Sequence, residues 1–183
     1  APDALLIAET GGMNAMIVDS TALTEQVVVD VIQSAFQSAG QRCSALRVLY
    51  LQEDVADRVI EILKGAMSEL RIGDPRDLGT DVGPVIDEDA RKGLMEHIEK
   101  LKGENRLVAQ TPMAAEHTQH GTFVPPVAFT IDSIDALTRE QFGPVLHIVR
   151  FKARELDKVI NDINGRGYGL TFGMHSRNES FAA

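Results

Sequence analysis

Cysteine is nearly absent: Cys43 is the single one in 183 residues. One thiol excludes an internal disulfide and fits a reducing, cytoplasmic compartment. Cations are scarce too, with 18 Lys and Arg against 27 Asp and Glu, a net charge of −9. That balance argues against nucleic acid and against anionic membrane surfaces as partners. No apolar run is long enough to cross a membrane, and no signal peptide opens the chain. The five histidines (His97, His117, His120, His147, His175) are scattered, and none pairs with the cysteine in a zinc-like spacing, so metal binding is not expected. The remainder is ordinary for a globular protein: 44% hydrophobic and 25% charged, enough to bury a real core.

Apolar runs alternate with helical periodicities along the chain. Ala4–Ala8 and Ala15–Val18 read as buried strands flanking the Gly11-Gly12 turn. A helix is predicted over about 24–38, with Val27, Val28, Val31, Ile32, Ala35 and Phe36 as one stripe, Thr24 as N-cap and Gly40 as stop. Leu46–Leu51 is a strand with almost no alternation, the pattern of a parallel strand covered on both faces. Further helices are predicted over about 53–70, 87–102 (capped by Asp87) and 155–164. Strands follow at 107–109, 145–151 and 170–175. Residues 111–120 read as an exposed loop. The run 123–131, broken by Pro125-Pro126, suits an edge strand. The sum is an α/β fold, a three-layer αβα arrangement with a largely parallel sheet. The chain starts almost on a strand and stops just after one, so it is expected to be a piece of a larger protein.

Two glycine loops carry candidate chemistry. Gly40-Gln41-Arg42-Cys43-Ser44-Ala45 sets the lone cysteine among polar neighbours, just after a helix and before a strand. A free cysteine is often a small buried hydrophobe, but these surroundings are a poor address for one. Arg42 would favour the thiolate, whereas the C-terminal end of the preceding helix would disfavour an anion; sequence does not decide between them. Glu9-Thr10-Gly11-Gly12-Met13-Asn14 sets a carboxylate beside two glycines, either a general base for the thiol or a solvated loop acid.

These loops resemble those of the aldehyde dehydrogenases. Glu9-Thr10-Gly11-Gly12 with Asn14 resembles their glutamate loop, and Gly40-Gln41-Arg42-Cys43 their nucleophile loop. Glu140-Gln141-Phe142-Gly143-Pro144-Val145 resembles their E-x-F-G-P motif, and Tyr168-Gly169-Leu170-Thr171 their final Y-G-L motif. All four occur in family order. The longer stretches 8–20 and 38–48 are similar to the branch that oxidises glutamate γ-semialdehyde, the aldehyde dehydrogenase half of the bifunctional proline utilization A enzymes.

The resemblance implies an NAD-dependent oxidation of a small aldehyde. Cys43 would be the nucleophile and half of the oxyanion hole through its N–H; Glu9 would activate the hydrolytic water. Glu140 would hold the nicotinamide ribose, Phe142 would pack by the nicotinamide ring, and the Thr10 carbonyl would take its carboxamide. Ser44 would bind the substrate carboxylate. Each residue also has a plainer role open to it: Glu140 a surface carboxylate, Phe142 core, Ser44 a polar turn. The resemblance further implies that residues 1–183 are most of a catalytic domain. The dinucleotide-binding domain, the substrate-carboxylate loop and the oligomerisation strand would lie elsewhere in the parent polypeptide, as would a proline dehydrogenase half with FAD. Such a piece is expected to self-associate and to be inactive alone. Two competing readings are a cysteine hydrolase or acyltransferase, which needs a histidine beside Cys43, and a non-catalytic module that docks a partner.

Overall fold

Every residue of Val48–Gln52 (β2) and of Ala15–Val18 (β1) is buried, because helices cover both faces of the sheet they share. Met16, Val18, Leu49 and Leu51 point into one core, with Val27, Val31 and Phe36 of Thr24–Phe36 (α1), Val59 and Leu63 of Glu53–Ser68 (α2), and Leu94 and Ile98 of Glu88–Gly103 (α3). Ala15, Ile17, Val48 and Tyr50 point into the other, against Val159 of Leu156–Asn164 (α5). The period-2 geometry of a strand thus sends alternate residues to two apolar layers. The computed structural model describes residues 11–178 and 180; the strand expected at Ala4–Ala8 lies outside them.

The remaining strands are Leu107–Gln110 (β3), Val127–Thr130 (β4), Val145–Phe151 (β5) and Phe172–His175 (β6). Their order in the sheet is β3-β4-β5-β2-β1-β6. All neighbours are parallel except β3, which runs antiparallel to β4 at one edge. The αβα, largely parallel architecture matches expectation.

Several local expectations need correction. Val127–Thr130 is an interior strand, not an edge. Pro125 and Pro126 precede the ladder, and Val127 N–H is the first donor, to the Pro144 carbonyl at 3.0 Å, so the missing proline N–H groups cost no ladder bond. Helix α1 ends at Phe36, not Ser38, and Ser38, Ala39 and Gly40 all take positive φ (56°, 52° and 64°). Thr24 is not the N-cap: Leu23 holds that position without a side-chain bond, and the Thr24 hydroxyl donates to Glu25 instead. Asp87 does cap α3, accepting from Ala90 N–H at 2.8 Å. The stretch 111–120 is exposed except at Thr111 and the half-buried Thr118. Thr111 is fully buried and donates to the Met67 carbonyl at 2.8 Å. A one-turn helix, Ala115–Thr118 (α4), sits within it.

Candidate active site

Four of the strands, β5, β2, β1 and β6, are consecutive in the sheet and mutually parallel. Each is immediately preceded in sequence by one of the four glycine-bearing motifs. Parallel pairing therefore gathers loops from opposite ends of the chain along one rim, at the N-terminal ends of the strands. Open α/β sheets more commonly bind ligands at the carboxyl ends.

Two side chains bind this rim together. Arg47, 1% exposed, sits between the nucleophile loop and β2. Its Nε–H donates to Glu140 Oε1 at 2.9 Å, Nη1 donates to the carbonyls of Gly40 (2.7 Å) and Gly143 (3.3 Å), and Nη2 donates to the carbonyl of Arg42 (3.1 Å). Burial pushes the guanidinium pKa down, and the adjacent Glu140 carboxylate opposes that shift. Arginine nevertheless stays charged. The other Glu140 oxygen accepts Gly12 N–H at 3.0 Å, so the E-x-F-G-P loop is tied to the glutamate loop as well. Asn14 is the second tie. Its Nδ2 donates to the carbonyls of Cys43 (2.6 Å) and Ala45 (2.8 Å), and its Oδ1 accepts from Thr171 N–H at 3.3 Å.

Close approach explains two of the glycines. A Cβ on Gly40 would lie 2.2 Å from the Gly143 carbonyl oxygen, at a φ that side chains rarely adopt. One on Gly12 would lie 2.8 Å from Asn14 Oδ1 and 3.1 Å from the Cys43 carbonyl oxygen.

Cys43 is a free, exposed thiol, not a core residue. The Arg42 guanidinium turns back to the Gln33 carbonyl in the last turn of α1, at 3.0 Å. The cation therefore meets the helix C-terminal end, where the helix dipole favours it. Ser44 is exposed beside Cys43 and lines a cavity of about 460 Å³ with Arg42, Asp30 and His175. Phe142 is 45% exposed, and the Arg47 guanidinium lies 5.1 Å from its ring centroid, so it is neither plain core nor free surface. Glu140 Oε1 faces both Nε and Nη2 of Arg47 at 2.9 Å, and among the described residues Oε2 accepts only Gly12 N–H; with roughly four lone-pair sites on a carboxylate, acceptor capacity remains on Oε2. Glu9 and Thr10 lie outside the described residues.

No histidine among the described residues hydrogen-bonds Cys43. His97 and His147 engage each other, Nε2 to Nε2 at 2.9 Å, and His147 Nδ1 lies 3.1 Å from the Arg47 carbonyl. His175 faces Asp30 at 3.1 Å. The thiol–histidine pair needed by a cysteine hydrolase thus finds no support among the described residues.

Comparison with known proteins agrees with the motifs. Residues 4–183 match the model of the aldehyde dehydrogenase family. The chain belongs to the aldehyde dehydrogenase family. It is 58% identical over 176 residues to the bifunctional protein PutA of Klebsiella aerogenes, covering 94% of this chain and 13% of that protein. It is 36% identical over 177 residues to the 1-pyrroline-5-carboxylate dehydrogenase of Geobacillus kaustophilus, covering 96% of this chain and 33% of that one. A crystal structure of bifunctional proline utilization A superposes with a TM-score of 0.92 at 53% identity, covering all of this chain and 18% of the solved one. The chain thus spans a small part of the length of these relatives.

Sequence reading passed over three residues that build this aldehyde dehydrogenase rim. Arg47 had a signal, a lone charge at the head of the apolar run 46–51. Asn14 lies inside the glutamate-loop motif, where nothing in the sequence marks it as a tie between loops. Gln41 accepts Ile86 N–H at 2.8 Å and donates to the Pro84 carbonyl at 3.3 Å, anchoring the nucleophile loop to the 84–86 segment. Nothing local in the sequence links those two segments.

Proposed function

We propose that this chain is catalytic-domain sequence of an NAD-dependent L-glutamate γ-semialdehyde dehydrogenase acting in proline catabolism. In this reading it is one segment of a longer polypeptide of the proline utilization A type, with a FAD-dependent proline dehydrogenase elsewhere in it. The observation that carries the reading is an exposed thiol on a rim where four family motifs meet. The high identity to PutA proteins supports the substrate assignment.

Cys43 adds as thiolate to the aldehyde carbon, and its own N–H stabilises the oxygen that becomes negative. NAD, when bound, supplies the acceptor for the hydride that the aldehyde carbon loses. Glu140 and Phe142 fit the nicotinamide half: one offers unused acceptor sites and the other a half-exposed ring. Thr10 contributes its carbonyl there. Glu9 takes a proton from the water that opens the resulting Cys43 thioester to the carboxylic acid. Ser44 offers a hydroxyl to the substrate carboxylate. The pyrophosphate and adenosine contacts come from sequence outside this chain. The chain alone is accordingly inactive, and its exposed Phe142 and Phe172 favour self-association.

The test is Cys43→Ala in the full-length protein that carries this segment, followed by NADH absorbance with glutamate semialdehyde. Loss of oxidation with NAD binding retained is expected; substantial remaining turnover overturns the reading.

A further inference from the structure

We infer that Arg47 is a positioning residue that makes the Glu140 carboxylate and the Cys43 loop a single rigid unit, coupling the cofactor contact to the nucleophile. Part of its test rests on the dehydrogenase reading, and part does not.

The geometry has three elements. Among the described residues the Arg47 side chain hydrogen-bonds Glu140 and three backbone carbonyls, not the Cys43 sulfur; it works through what it holds. Two of its bonds end on the carbonyls of Gly40 and Arg42, three residues and one residue before Cys43. Two end in the E-x-F-G-P loop, on Glu140 and on Gly143. The guanidinium is buried and planar, so these directions are fixed together. Rotating Glu140 toward a different position breaks its bond to Arg47, and shifting Arg47 breaks the bonds that shape the turn before Cys43. Phe142, at 5.1 Å from the guanidinium, is held by the same group. A lysine has a single nitrogen and cannot serve four acceptors in these directions.

Two independent readouts test this in the full-length protein. The first is the NAD-free rate of Cys43 alkylation by iodoacetamide, which needs no dehydrogenase activity. Glu140→Gln weakens the bond to Arg47 in a different loop from Cys43, yet is expected to change the alkylation rate severalfold. Arg47→Lys is expected to change it in the same direction. An alkylation rate untouched by Glu140→Gln overturns the coupling, and this arm stands even if Arg47→Lys does not fold.

The second readout is a double-mutant cycle on the KM for NAD. Arg47→Lys is expected to raise KM about tenfold, the scale of one lost hydrogen bond to a charged group. In a Glu140→Gln background the same change should do little, because Arg47 acts through that carboxylate. Additive effects overturn the inference. A merely structural Arg47 would lower stability in both backgrounds without this split. If instead Cys43→Ala still oxidises aldehyde, the dehydrogenase reading fails, while the alkylation arm still decides the coupling.

Discussion

The rim and one cavity on another part of this molecule are built on opposite plans. The cavity, about 830 Å³, lies between the 70–84 loop and the 112–123 segment, and includes Asp74, Asp77, Glu116, His117 and His120. The bonds of its two aspartates are short-range and exposed: Arg76 to Asp74 and Gly79 to Asp77 each span two residues. The rim bonds span 93 residues from Arg47 to Glu140, 128 from Gly12 to Glu140 and 157 from Thr171 to Asn14, all at least partly buried. Local bonds cost little chain entropy and form wherever the turn forms. Distant bonds persist only when the whole sheet holds their partners in place. The rim is therefore the region where side-chain positions depend on the fold.

The largest effect should come from cutting the rim's buried pair. Arg47→Met leaves Glu140 without its cation and three carbonyls without a donor, and should cost about 3–5 kcal/mol. Urea denaturation measures it; a loss no larger than that of an exposed-site change would erase the contrast between the two regions. Gly40→Ala comes next, at roughly 2–4 kcal/mol, from the clash with the Gly143 carbonyl and the left-handed φ. The same substitution at Gly65 in α2, where an added Cβ meets nothing within 4 Å, should instead stabilise by about 0.5–1 kcal/mol. Equal signs at the two glycines would show that the close approach at Gly40 does not govern its stability.

A smaller, reversible effect should follow pH through the histidine pair behind the rim. Burial holds His97 down at about 4, with Lys100 and Arg139 adding to it and Glu104 opposing. Burial, the neighbouring His97 and Arg47 hold His147 down at about 3, with its bond to the Arg47 carbonyl opposing. The unfolded histidines titrate near 6.5, so the unfolded chain takes up protons first. The pair's contribution is thus complete above about pH 6.5 and is lost as pH falls from there toward about 3. Urea midpoints measured from pH 8 to 5 should drop for the wild type and flatten in His97→Phe; parallel profiles would count against this origin. The smallest effect belongs to the cavity loop. Asp74 is held down at about 2 by its bonds to Arg76, but both groups are exposed and screened by solvent. Arg76→Ala should leave the melting midpoint where it was, and a clear shift would make that loop more like the rim than its bonding suggests.

Much of this arrangement is legible in residue order. Unalternating runs such as 46–51 announce strands buried on both faces, Asp87 announces its cap, and four ordered motifs announce the family. The misses have different causes. At the head of α1 one local bond replaces another, because the Thr24 hydroxyl turns to its neighbour Glu25. Before β4 tertiary packing overrides the local preference of the double proline, because β3 covers the flank where an edge would have been.

Periodicity and motif spacing alone therefore specify which segments are helices and strands, and that Cys43 sits in a glycine loop between them. The sheet decides the rest. The sequence order of β1, β2, β5 and β6 says nothing of their order in space, and only their parallel pairing as β5-β2-β1-β6 brings four distant loops to one rim. The role of Arg47 arises there for the same reason: besides its near partners Gly40 and Arg42, it meets Glu140 and Gly143 nearly a hundred residues away, and no local pattern encodes a contact of that range.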